Sequence, residues 1–440
     1  MKGALRMDEQ DYILDEKERE RRRLIRKEMK RKTMIRQRIA FGVTLGVVVL
    51  VLVLIISSCS RRKAAREAEL AHQAAQEAVQ QEIVTAKATL AAFGDVMCYN
   101  EQIRDALTSS GAYDFSSAFT AIAPYLQSAD LAVGNLELNF CGAGSSYVGF
   151  PSFRAPESLA QALSEAGVDI LQTANTYSLQ NGLSGLQSTI RYVKEQNMVP
   201  LGTYAATIDK RRDEGVQFKT VNGIKFAFIG YTKGMNNMAL PEEADYAADV
   251  LFTDYDSNYD VINKDGLLRS VDAAKSGGAD VIVAMLHWGS EFELKPDEKQ
   301  EEIAQLLFQN GVDVILGTHS HIVGPMQKRS VVVNGREKQV FIAYSLGNFF
   351  SAMTDGTSQC SVLLNLEFSM DSETGAVTIS DVSYLPLYLI DKGEGADARY
   401  EILPIRSALD SSLFEEQTDT FRAAIEHLKQ NTVSTLDSGK

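Results

Sequence analysis

The 440-residue sequence predicts an α/β protein whose core is two packed mixed sheets with helices outside. Apolar runs alternate with helical segments from residue 90 to 201, which is typical of parallel strands joined by crossover helices. Apolar–polar alternation around Asn222-Gly223 and Asn334-Gly335 predicts hairpins, and hence antiparallel strands. Acidic residues and histidines directly follow several predicted strands. Side chains at these carboxyl ends face the crevice where α/β proteins bind ligands.

The individual elements follow from hydrophobic periodicity and turn signals. We predict strands at 90–97, 130–136, 168–174 and 199–201, and helices at 115–126, 156–166 and 186–196. The middle of the chain predicts hairpins at 216–229 and 331–343, strands at 280–286 and 312–316, and a helix at 299–309. Residues 234–262 show no period and predict loops over the cleft. Strands at 362–368, 377–382 and 384–390 precede a short helix and a polar tail from 423 to 440.

The N-terminal region differs in composition from the rest of the chain. A dozen basic residues and only three glutamates lie between Lys17 and Arg38, and residues 39–56 carry no charge. A bilayer core needs about 20 apolar residues in a helix, so we expect a transmembrane helix at 39–58. The basic cluster predicts a cytoplasmic N-terminus and an extracytoplasmic C-terminal domain in the cell membrane. A lipoprotein anchored through Cys59 is the alternative, since Ile56-Ser57-Ser58-Cys59 resembles a lipoprotein cleavage box.

The net charge of −14 averages this basic tail with a more acidic remainder. An acidic domain argues against nucleic acid as a partner, and the apolar span gives the basic cluster a role in membrane topology. We therefore predict five regions. These are a basic cytoplasmic tail (1–38), the transmembrane helix (39–58), a helical stalk rich in Ala, Glu and Gln (59–87), the main domain (88–410), and a helix with a polar tail (411–440).

Two cysteines have similar offsets from strand-end acids. Cys98 follows Asp95 by three residues, and Cys141 follows Glu137 by four. If the two strands are neighbours, both cysteines lie at the same end of the sheet. An extracytoplasmic location permits a disulfide there, and two free thiols are the alternative.

Six short segments occur in an order and spacing that resemble the CapA family, the capsule and poly-γ-glutamate synthesis proteins with a calcineurin-like metallophosphoesterase fold. The segments are Gly94-Asp95-Val96-Met97, Gly134-Asn135-Leu136-Glu137, Ala174-Asn175-Thr176-Tyr177, His287-Trp288-Gly289, Gly317-Thr318-His319-Ser320-His321 and residues 344–349. The resemblance covers about residues 88–350. It implies an α/β/β/α sandwich of two mixed sheets whose strand-end loops form a metal-binding cleft.

The resemblance also implies a ligand set for one or two divalent metal ions, with Mn, Zn, Fe and Mg as candidates. The implied ligands are Asp95, Glu137, Asn175, His287, His319 and His321, and the implied catalytic residues are His287 and His319. Carboxylates and imidazoles suit such ions, which polarise a phosphoryl oxygen or lower the pKa of a bound water.

The third motif departs from the family's pattern. The family commonly has Asn-His followed by Asp where this chain has Thr176-Tyr177 and Gln180. A neutral hydroxyl coordinates weakly, and a phenol with a pKa of about 10 is a poor general acid–base near neutrality. Met97 also stands where many phosphoesterases of this fold have a histidine. We therefore expect a reduced centre that binds at most one ion well.

Three further residues are candidate substrate contacts. Arg154 would bind an anionic group over the cleft, and an ordinary surface arginine is the alternative. Glu291 could bind substrate or could simply be a charged loop residue. Asn348 lies in a Ser-Leu-Gly-Asn turn, where it could contact substrate or only stabilise the turn.

Two functions are consistent with these residues. The first is a membrane-anchored extracytoplasmic protein that supports synthesis, attachment or trimming of an anionic polymer such as poly-γ-glutamate, by metal-assisted hydrolysis or transfer. The second is a non-catalytic scaffold that holds the polymer or its membrane synthase. Fold alone does not decide between them, and the metal content of the protein does.

Overall fold

The chain divides into two compact units, Met1–Glu82 and Ile83–Lys440. The computed structural model describes residues 18–34, 65–71, 84–205, 215–354, 357–395, 399–410 and 418–431, with isolated positions at 42, 46, 50, 63, 416, 437 and 438. Apart from positions 42, 46 and 50, the predicted transmembrane helix 39–58 lies outside these residues, as does Cys59. Within the described residues, no helix combines the length and the apolar character needed to cross a membrane.

The first sheet belongs to the second unit and mixes parallel with antiparallel strands. Its strands are β1 (Val84–Val96), β2 (Leu131–Leu136), β3 (Ile170–Gln172), β4 (Val199–Leu201), β11 (Asn348–Phe350), β12 (Cys360–Asp371), β13 (Val377–Asp391), β14 (Tyr400–Pro404) and β15 (Asp437–Ser438). The order is β14-β13-β12-β1-β2-β3-β4, with β11 beside β1 and β15 beside β13. Strands β1 to β4 pair in parallel, whereas β12, β13 and β14 pair antiparallel.

The second sheet has parallel strands at its centre and hairpin strands at its edges. Its strands are β5 (Gln217–Val221), β6 (Ile224–Thr232), β7 (Val281–His287), β8 (Val314–Thr318), β9 (Met326–Val333) and β10 (Arg336–Ala343). The order is β5-β6-β7-β8-β10-β9, and only the outer strands β5 and β9 pair antiparallel among those described.

Helices cover the outer faces of the two sheets. They are α1 (Asn100–Ala106), α2 (Ser116–Phe119), α3 (Ala123–Gln127), α4 (Ser158–Glu165), α5 (Gly182–Glu195), α6 (Lys264–Ser276), α7 (Glu298–Gln309), α8 (Ile405–Leu409) and α9 (Thr418–Asn431). Leu90 and Ala92 of β1 share a core with Phe226 and Phe228 of β6, between the sheets. Phe93 instead packs in a core with residues of the helices. Successive strand residues point to opposite faces, so the first sheet is apolar and buried on both faces along this part of β1.

The predicted α/β fold with two mixed sheets is confirmed. Both Asn-Gly turns are also confirmed, with φ of 50° and 88° at Asn222 and Gly223 and 51° and 76° at Asn334 and Gly335. A two-residue hairpin turn with positive φ at both positions matches the twist of its strands.

Some boundaries differ from the prediction. The range given to the stalk, 59–87, ends in strand rather than helix, because β1 begins at Val84 and its first residues pair with β12. The predicted helix 115–126 is two helices, since Pro124 lacks the N–H that would continue the first one. The two strands predicted at 377–390 are the single strand β13. Helices α1, α6 and α8 and strand β14 were absent from the prediction.

Candidate metal-binding site

The predicted ligand residues meet where the parallel strands of both sheets end. Asp95 is the penultimate residue of β1, Glu137 directly follows β2, and His287 ends β7. His319 and His321 lie just beyond the end of β8. Asp95, Glu137 and His287 are 0% exposed and His321 is 2% exposed, so these polar groups must find partners inside the protein.

Two glycines allow the ends of β1 and β8 to approach the loop between β10 and β11. A Cβ at Gly94 would lie 1.7 Å from the carbonyl oxygen of Gly347, and one at Gly317 would lie 2.0 Å from that of Tyr344. Any side chain at either position would force the strand end and the loop apart, and would shift Asp95, next to Gly94, or His319, two residues after Gly317.

The two histidines after β8 have unusual backbone conformations. The φ angle is 96° at His319 and 60° at His321. Non-glycine residues in such conformations cost of order 1–3 kcal/mol and persist where the surroundings enforce them. Here the turn brings the backbone N–H of His319 to Asp95 Oδ2 at 3.4 Å, and His321 Nδ1 to the same oxygen at 3.2 Å. Backbone strain therefore accompanies the convergence of the ligands.

The side chains form two overlapping groups of candidate ligands. Glu137, His287 and His319 make one group, and Asp95, Glu137 and His321 make the other. Within each group the ligand atoms lie within 4.8 Å of one another. Glu137 belongs to both groups, so the five residues form one cluster around its carboxylate.

One carboxylate oxygen of Glu137 lacks a hydrogen-bond donor. Oε1 is buried and accepts no hydrogen bond from the described residues, although His287 Nε2 lies 3.2 Å away. A buried acceptor without a partner is costly. A divalent cation held by carboxylates and imidazoles would supply the missing partner, so the residues present fit a metal ion.

Amide and hydroxyl groups hold the ligands in place. Asn135 Nδ2 donates to Asp95 Oδ1 at 2.7 Å and lies 3.3 Å from His287 Nδ1. Thr318 Oγ1 lies 2.9 Å from the same imidazole nitrogen. His287 therefore turns its Nε2 toward Glu137 and the centre of the cluster. Such neighbours orient metal ligands and tune their basicity.

Charges within the cluster shift the pKa values of its members. Burial alone would raise the pKa of Asp95, but the hydrogen bond and positive charge of His321 lower it below its ordinary value. Burial alone would lower the pKa of His321, but its hydrogen bond to Asp95 and the negative charges of Glu137, Asp95 and Glu291 together outweigh burial and raise the pKa to about 9. Burial, together with the charges of the other two histidines, holds the pKa of His319 well below its ordinary value. His319 is therefore neutral near pH 7, as a metal ligand must be.

The sequence profile of a family described as bacterial capsule synthesis protein PGA_cap matches residues 89–353, more than half of the chain and all of the cluster. The chain belongs to this family. The match confirms the resemblance to CapA proteins that the six motifs indicated.

The chain is similar to two proteins that are named CapA. It is 28% identical to capsule biosynthesis protein CapA of Bacillus anthracis over 275 residues, 60% of this chain and 59% of that protein. It is 25% identical to PGA biosynthesis protein CapA of Bacillus subtilis (strain 168) over 264 residues, 58% of this chain and 61% of that protein. The chain thus matches less than two thirds of either relative's length.

Two solved structures illustrate the resemblance of this PGA_cap member to proteins of known structure. One is a putative 5'-nucleotidase from Staphylococcus aureus, with 17% identity, 78% of this chain and 58% of that chain covered, and a TM-score of 0.41. The other is the calcineurin-like phosphoesterase YfkN from Bacillus subtilis, with 13% identity, 78% and 99% covered, and a TM-score of 0.39.

The departure from the family's third motif lies inside the cluster. Thr176 Oγ1 is 2.9 Å from His287 Nε2 and 3.3 Å from His319 Nδ1. Tyr177 is buried against Phe153, with ring centroids 4.6 Å apart. Burial and the nearby charge of Glu137 raise the pKa of Tyr177, so its phenol stays protonated near neutrality. This PGA_cap member therefore places a hydroxyl between the imidazoles of two candidate ligands.

Asn175, a predicted ligand, supports the neighbouring strand instead of facing the histidines. Its Nδ2 donates to Asn135 Oδ1 at 3.1 Å and to the carbonyl of Leu136 at 2.7 Å. Its Oδ1 accepts from the backbone N–H of Tyr177 at 3.1 Å. Its side chain thus fixes the third motif to the end of β2.

The three predicted substrate contacts lie at different distances from the cluster. Asn348 is buried within it, and its Oδ1 is 3.0 Å from His321 Nδ1. Glu291 is exposed, yet its charge raises the pKa of His321, which places it near the cleft. Arg154 is half-buried, and its guanidinium donates to Ser146 Oγ at 3.4 Å while its buried Nε has no acceptor. The structure brings Asn348 to the ligands and leaves Arg154 in the loop before α4.

Sequence reasoning placed Asn135 and Thr318 inside motifs but gave them no role. Both precede a ligand by one or two residues at a strand end, and in β1–β2 pairing Asn135 lies directly opposite Asp95. In β7–β8 pairing Thr318 lies directly opposite His287. These roles depend on the pairing register of the strands, which a single sequence does not reveal.

The described cysteines, Cys98, Cys141 and Cys360, are free thiols. Of the two alternatives for Cys98 and Cys141, the structure therefore has no disulfide. Cys98 is fully buried and Cys141 is half-buried. Burial raises the pKa of both thiols, which disfavours the reactive thiolate.

Proposed function

We propose that this protein is an envelope-tethered metal-binding member of the PGA_cap family that supports synthesis, attachment or trimming of an anionic capsular polymer such as poly-γ-glutamate. Residues 39–58 would anchor it in the membrane with residues 1–38 in the cytoplasm. The names of the two CapA relatives supply the link to capsule and poly-γ-glutamate biosynthesis.

The observation that carries the proposal is the cluster of two carboxylates and three histidines around the unpartnered Oε1 of Glu137. Asp95, Glu137, His287, His319 and His321 would hold the ion. A bound divalent ion would polarise a phosphoryl or carbonyl oxygen and lower the pKa of a bound water. We expect one tightly bound ion, because Thr176 offers only a weakly coordinating hydroxyl to the group of Glu137, His287 and His319.

The protein's own groups would orient the substrate and handle protons. Asn135 and Thr318 fix the imidazole of His287, so its Nε2 faces the reacting centre. His319 is neutral near pH 7 and able to accept a proton from a water or hydroxyl. Tyr177 remains protonated, so it donates a hydrogen bond but takes no proton. Proton transfer at this site would thus depend on His287 and His319, each only while its imidazole does not coordinate the ion.

A second candidate function is a scaffold that holds the polymer or its synthase without chemistry. The observation that favours it is the hydroxyl of Thr176 between His287 and His319, where the family pattern has an amide ligand. Tyr177 likewise replaces the imidazole that the family pattern supplies for proton transfer.

Metal analysis of the full-length protein separates the two candidates. We expect one Mn²⁺ or Zn²⁺ per chain and slow hydrolysis of p-nitrophenyl phosphate. Thr176→Asn with Tyr177→His should raise hydrolysis by on the order of tenfold or more, because a positioned acid–base contributes at least that much. Absence of metal, with polymer binding unchanged in His319→Ala, would favour the scaffold. Two tight ions with brisk wild-type hydrolysis would contradict the reduced site.

Membrane topology needs its own test. We expect cysteines introduced after residue 60 to react with a membrane-impermeant reagent on intact cells. Cysteines introduced before residue 38 should react only after the membrane is permeabilised. Labelling of both regions from the same side would contradict the single span.

A further inference from the structure

Lys233 lies beside the ligand cluster, just past the end of β6. It is half-buried. Its backbone N–H donates to the carbonyl of His287 at 2.7 Å, and its Nζ donates to the carbonyl of Gly289 at 2.6 Å. Both ends of the residue are therefore fixed to the His287-Trp288-Gly289 motif.

The ammonium group of Lys233 has no anionic partner among the described residues. It forms no ion pair there, and its hydrogen bond to Gly289 uses one of three N–H donors. The ring of Tyr259 lies 5.0 Å from Nζ and supplies a weak cation–π contact. A partly desolvated cation without a carboxylate is costly, so an anion from outside the chain would complete this environment.

The charge of Lys233 acts on the cluster. Burial is the main cause of the lowered pKa of His319, and the positive charges of His287, His321 and Lys233 lower it further. Among the acids, Asp297 and Glu291 lie near enough to raise the pKa of Lys233, although burial outweighs them.

The loop after Lys233 is held against the third motif. Asn236 and Asn237 have φ of 52° and 55°, and Asn236 Nδ2 donates to Gln180 Oε1 at 3.0 Å. Tyr259, which contacts the ammonium, donates its hydroxyl to Asn237. Lys233 is thus held between the His287-Trp288-Gly289 motif and the loops over the cleft.

We propose that Lys233 is the residue that binds an anionic oxygen of the substrate, a carboxylate or a phosphoryl group, beside the ligand cluster. This rests on the proposed function, in which the cluster holds a metal ion and acts on an anionic polymer. Lys233 would position the polymer's charged group so that the neighbouring bond faces the cluster.

Lys225, at the opposite end of β6, provides a matched control. It is also half-buried, its Nζ donates to the carbonyl of Gly277 at 2.6 Å, and it lies 4.8 Å from the ring centroid of Phe218. The ammonium groups of the two lysines have the same kinds of contact, a backbone carbonyl and an aromatic ring, and lie at opposite ends of β6.

The experiment compares full-length Lys233→Met, Lys233→Arg and Lys225→Met with the wild type. Mn²⁺ affinity is measured first, and then the binding of inorganic phosphate and of a γ-linked glutamate oligomer, with and without Mn²⁺. We expect Lys233→Met to bind at least one anion about 10- to 100-fold more weakly, because a charge-assisted hydrogen bond is lost. Mn²⁺ affinity should stay within about twofold, Lys233→Arg should keep much of the anion affinity, and Lys225→Met should behave as the wild type.

Each result has one reading. A loss confined to phosphate or to the oligomer identifies the group that Lys233 binds. Unchanged binding of both anions in Lys233→Met, equal losses in Lys225→Met, or a wild type that binds neither anion would overturn the proposal. A wild type that binds anions through Lys233 but no Mn²⁺ would instead refute the metal in the proposed function. If Lys233→Met does not fold, Lys233→Arg provides the test. A loss of anion affinity of less than tenfold in Lys233→Arg would support a role for the positive charge, and complete loss of anion binding would count against it.

Discussion

At the amino ends of the sheets an aspartate immediately precedes each of β2, β3, β7 and β8, whereas at the carboxyl ends two acids meet three histidines. Each amino-end aspartate accepts the backbone N–H of the preceding parallel strand. The pairs are Asp130 with Thr89 at 2.8 Å, Asp169 with Ala132 at 2.8 Å, Asp280 with Lys225 at 2.8 Å and Asp313 with Ile282 at 2.9 Å. These carboxylates therefore bind the backbone of the neighbouring strand at the amino ends of the sheets.

The carboxyl-end acids have different partners. Asp95 contacts the side chains of Asn135 and His321, and Glu137 keeps one buried oxygen without a donor. The four aspartates satisfy backbone donors that are always present in the fold. Asp95 and Glu137 differ in that imidazoles, which also bind metals, are among their partners. The kind of partner, rather than burial alone, therefore distinguishes a structural carboxylate from a candidate ligand in this protein.

The largest effect should follow Glu137→Gln, which removes the residue common to both ligand groups. We expect Mn²⁺ affinity of the full-length protein to fall by at least about a hundredfold, because even partners of metal ligands are worth tenfold to a hundredfold. Asp313→Asn is the matched control at the amino end and should keep wild-type affinity. Isothermal titration calorimetry measures both. Equal Mn²⁺ affinities for Glu137→Gln and the wild type would contradict the distinction between metal-binding carboxylates at the carboxyl ends and structural carboxylates at the amino ends.

The Asp95–His321 pair should make the metal-free protein less stable at alkaline pH. The pKa of His321 is raised to about 9 in the folded state, so the stabilisation is fully present below about pH 6.5 and is lost as pH rises through about 9. We expect the free energy of unfolding to fall by roughly 3 kcal/mol across that window. Urea denaturation after chelation measures the fall. His321→Gln should lack this component, and an identical pH slope in that variant would contradict the assignment.

Asp313→Asn should lower the free energy of unfolding but leave Mn²⁺ affinity unchanged. Asp313 is 7% exposed, and its Oδ2 accepts a hydrogen bond from the backbone N–H of Ile282. Its Oδ1 forms an ion pair with Lys338 Nζ at 2.7 Å. The amide keeps one acceptor but loses the ion pair, so we expect a loss of about 1–3 kcal/mol in the free energy of unfolding. Urea denaturation at pH 7 checks this. A larger effect on Mn²⁺ affinity than on stability would show that the two ends are coupled.

The carboxyl end was largely predictable because strand ends are readable from apolar runs. Asp95, Glu137, His287, His319 and His321 each follow such a run, and the structure brings all five together. The parallel order of the strands required only that βα units place their carboxyl ends on one side. The direction of each side chain, however, depends on pairing register and on the positive φ of His319 and His321.

Residues outside a run or motif were not predictable. Lys233 directly follows the hairpin strand β6, before the aperiodic stretch 234–262, and nothing in the sequence links it to His287. Asn175 occupies a motif position, yet it is turned toward Asn135 and the backbone of β2 by hydrogen bonds that only the fold creates. The aspartates before β2, β3, β7 and β8 also form a regular pattern that periodicity arguments based on apolar residues overlook.

The smallest effect should follow Asp130→Asn, which tests whether burial sets the cost among the amino-end aspartates. Asp130 is exposed, and its Oδ2 accepts from the backbone N–H and the hydroxyl of Thr89, each at 2.8 Å. Asparagine keeps one acceptor oxygen, and water replaces the rest. We therefore expect a loss of under about 1 kcal/mol in the free energy of unfolding, smaller than for buried Asp313. Parallel urea titrations of the two variants check the ranking. Equal losses would mean that the shared backbone hydrogen bond, rather than burial and the Lys338 ion pair, determines what these aspartates contribute.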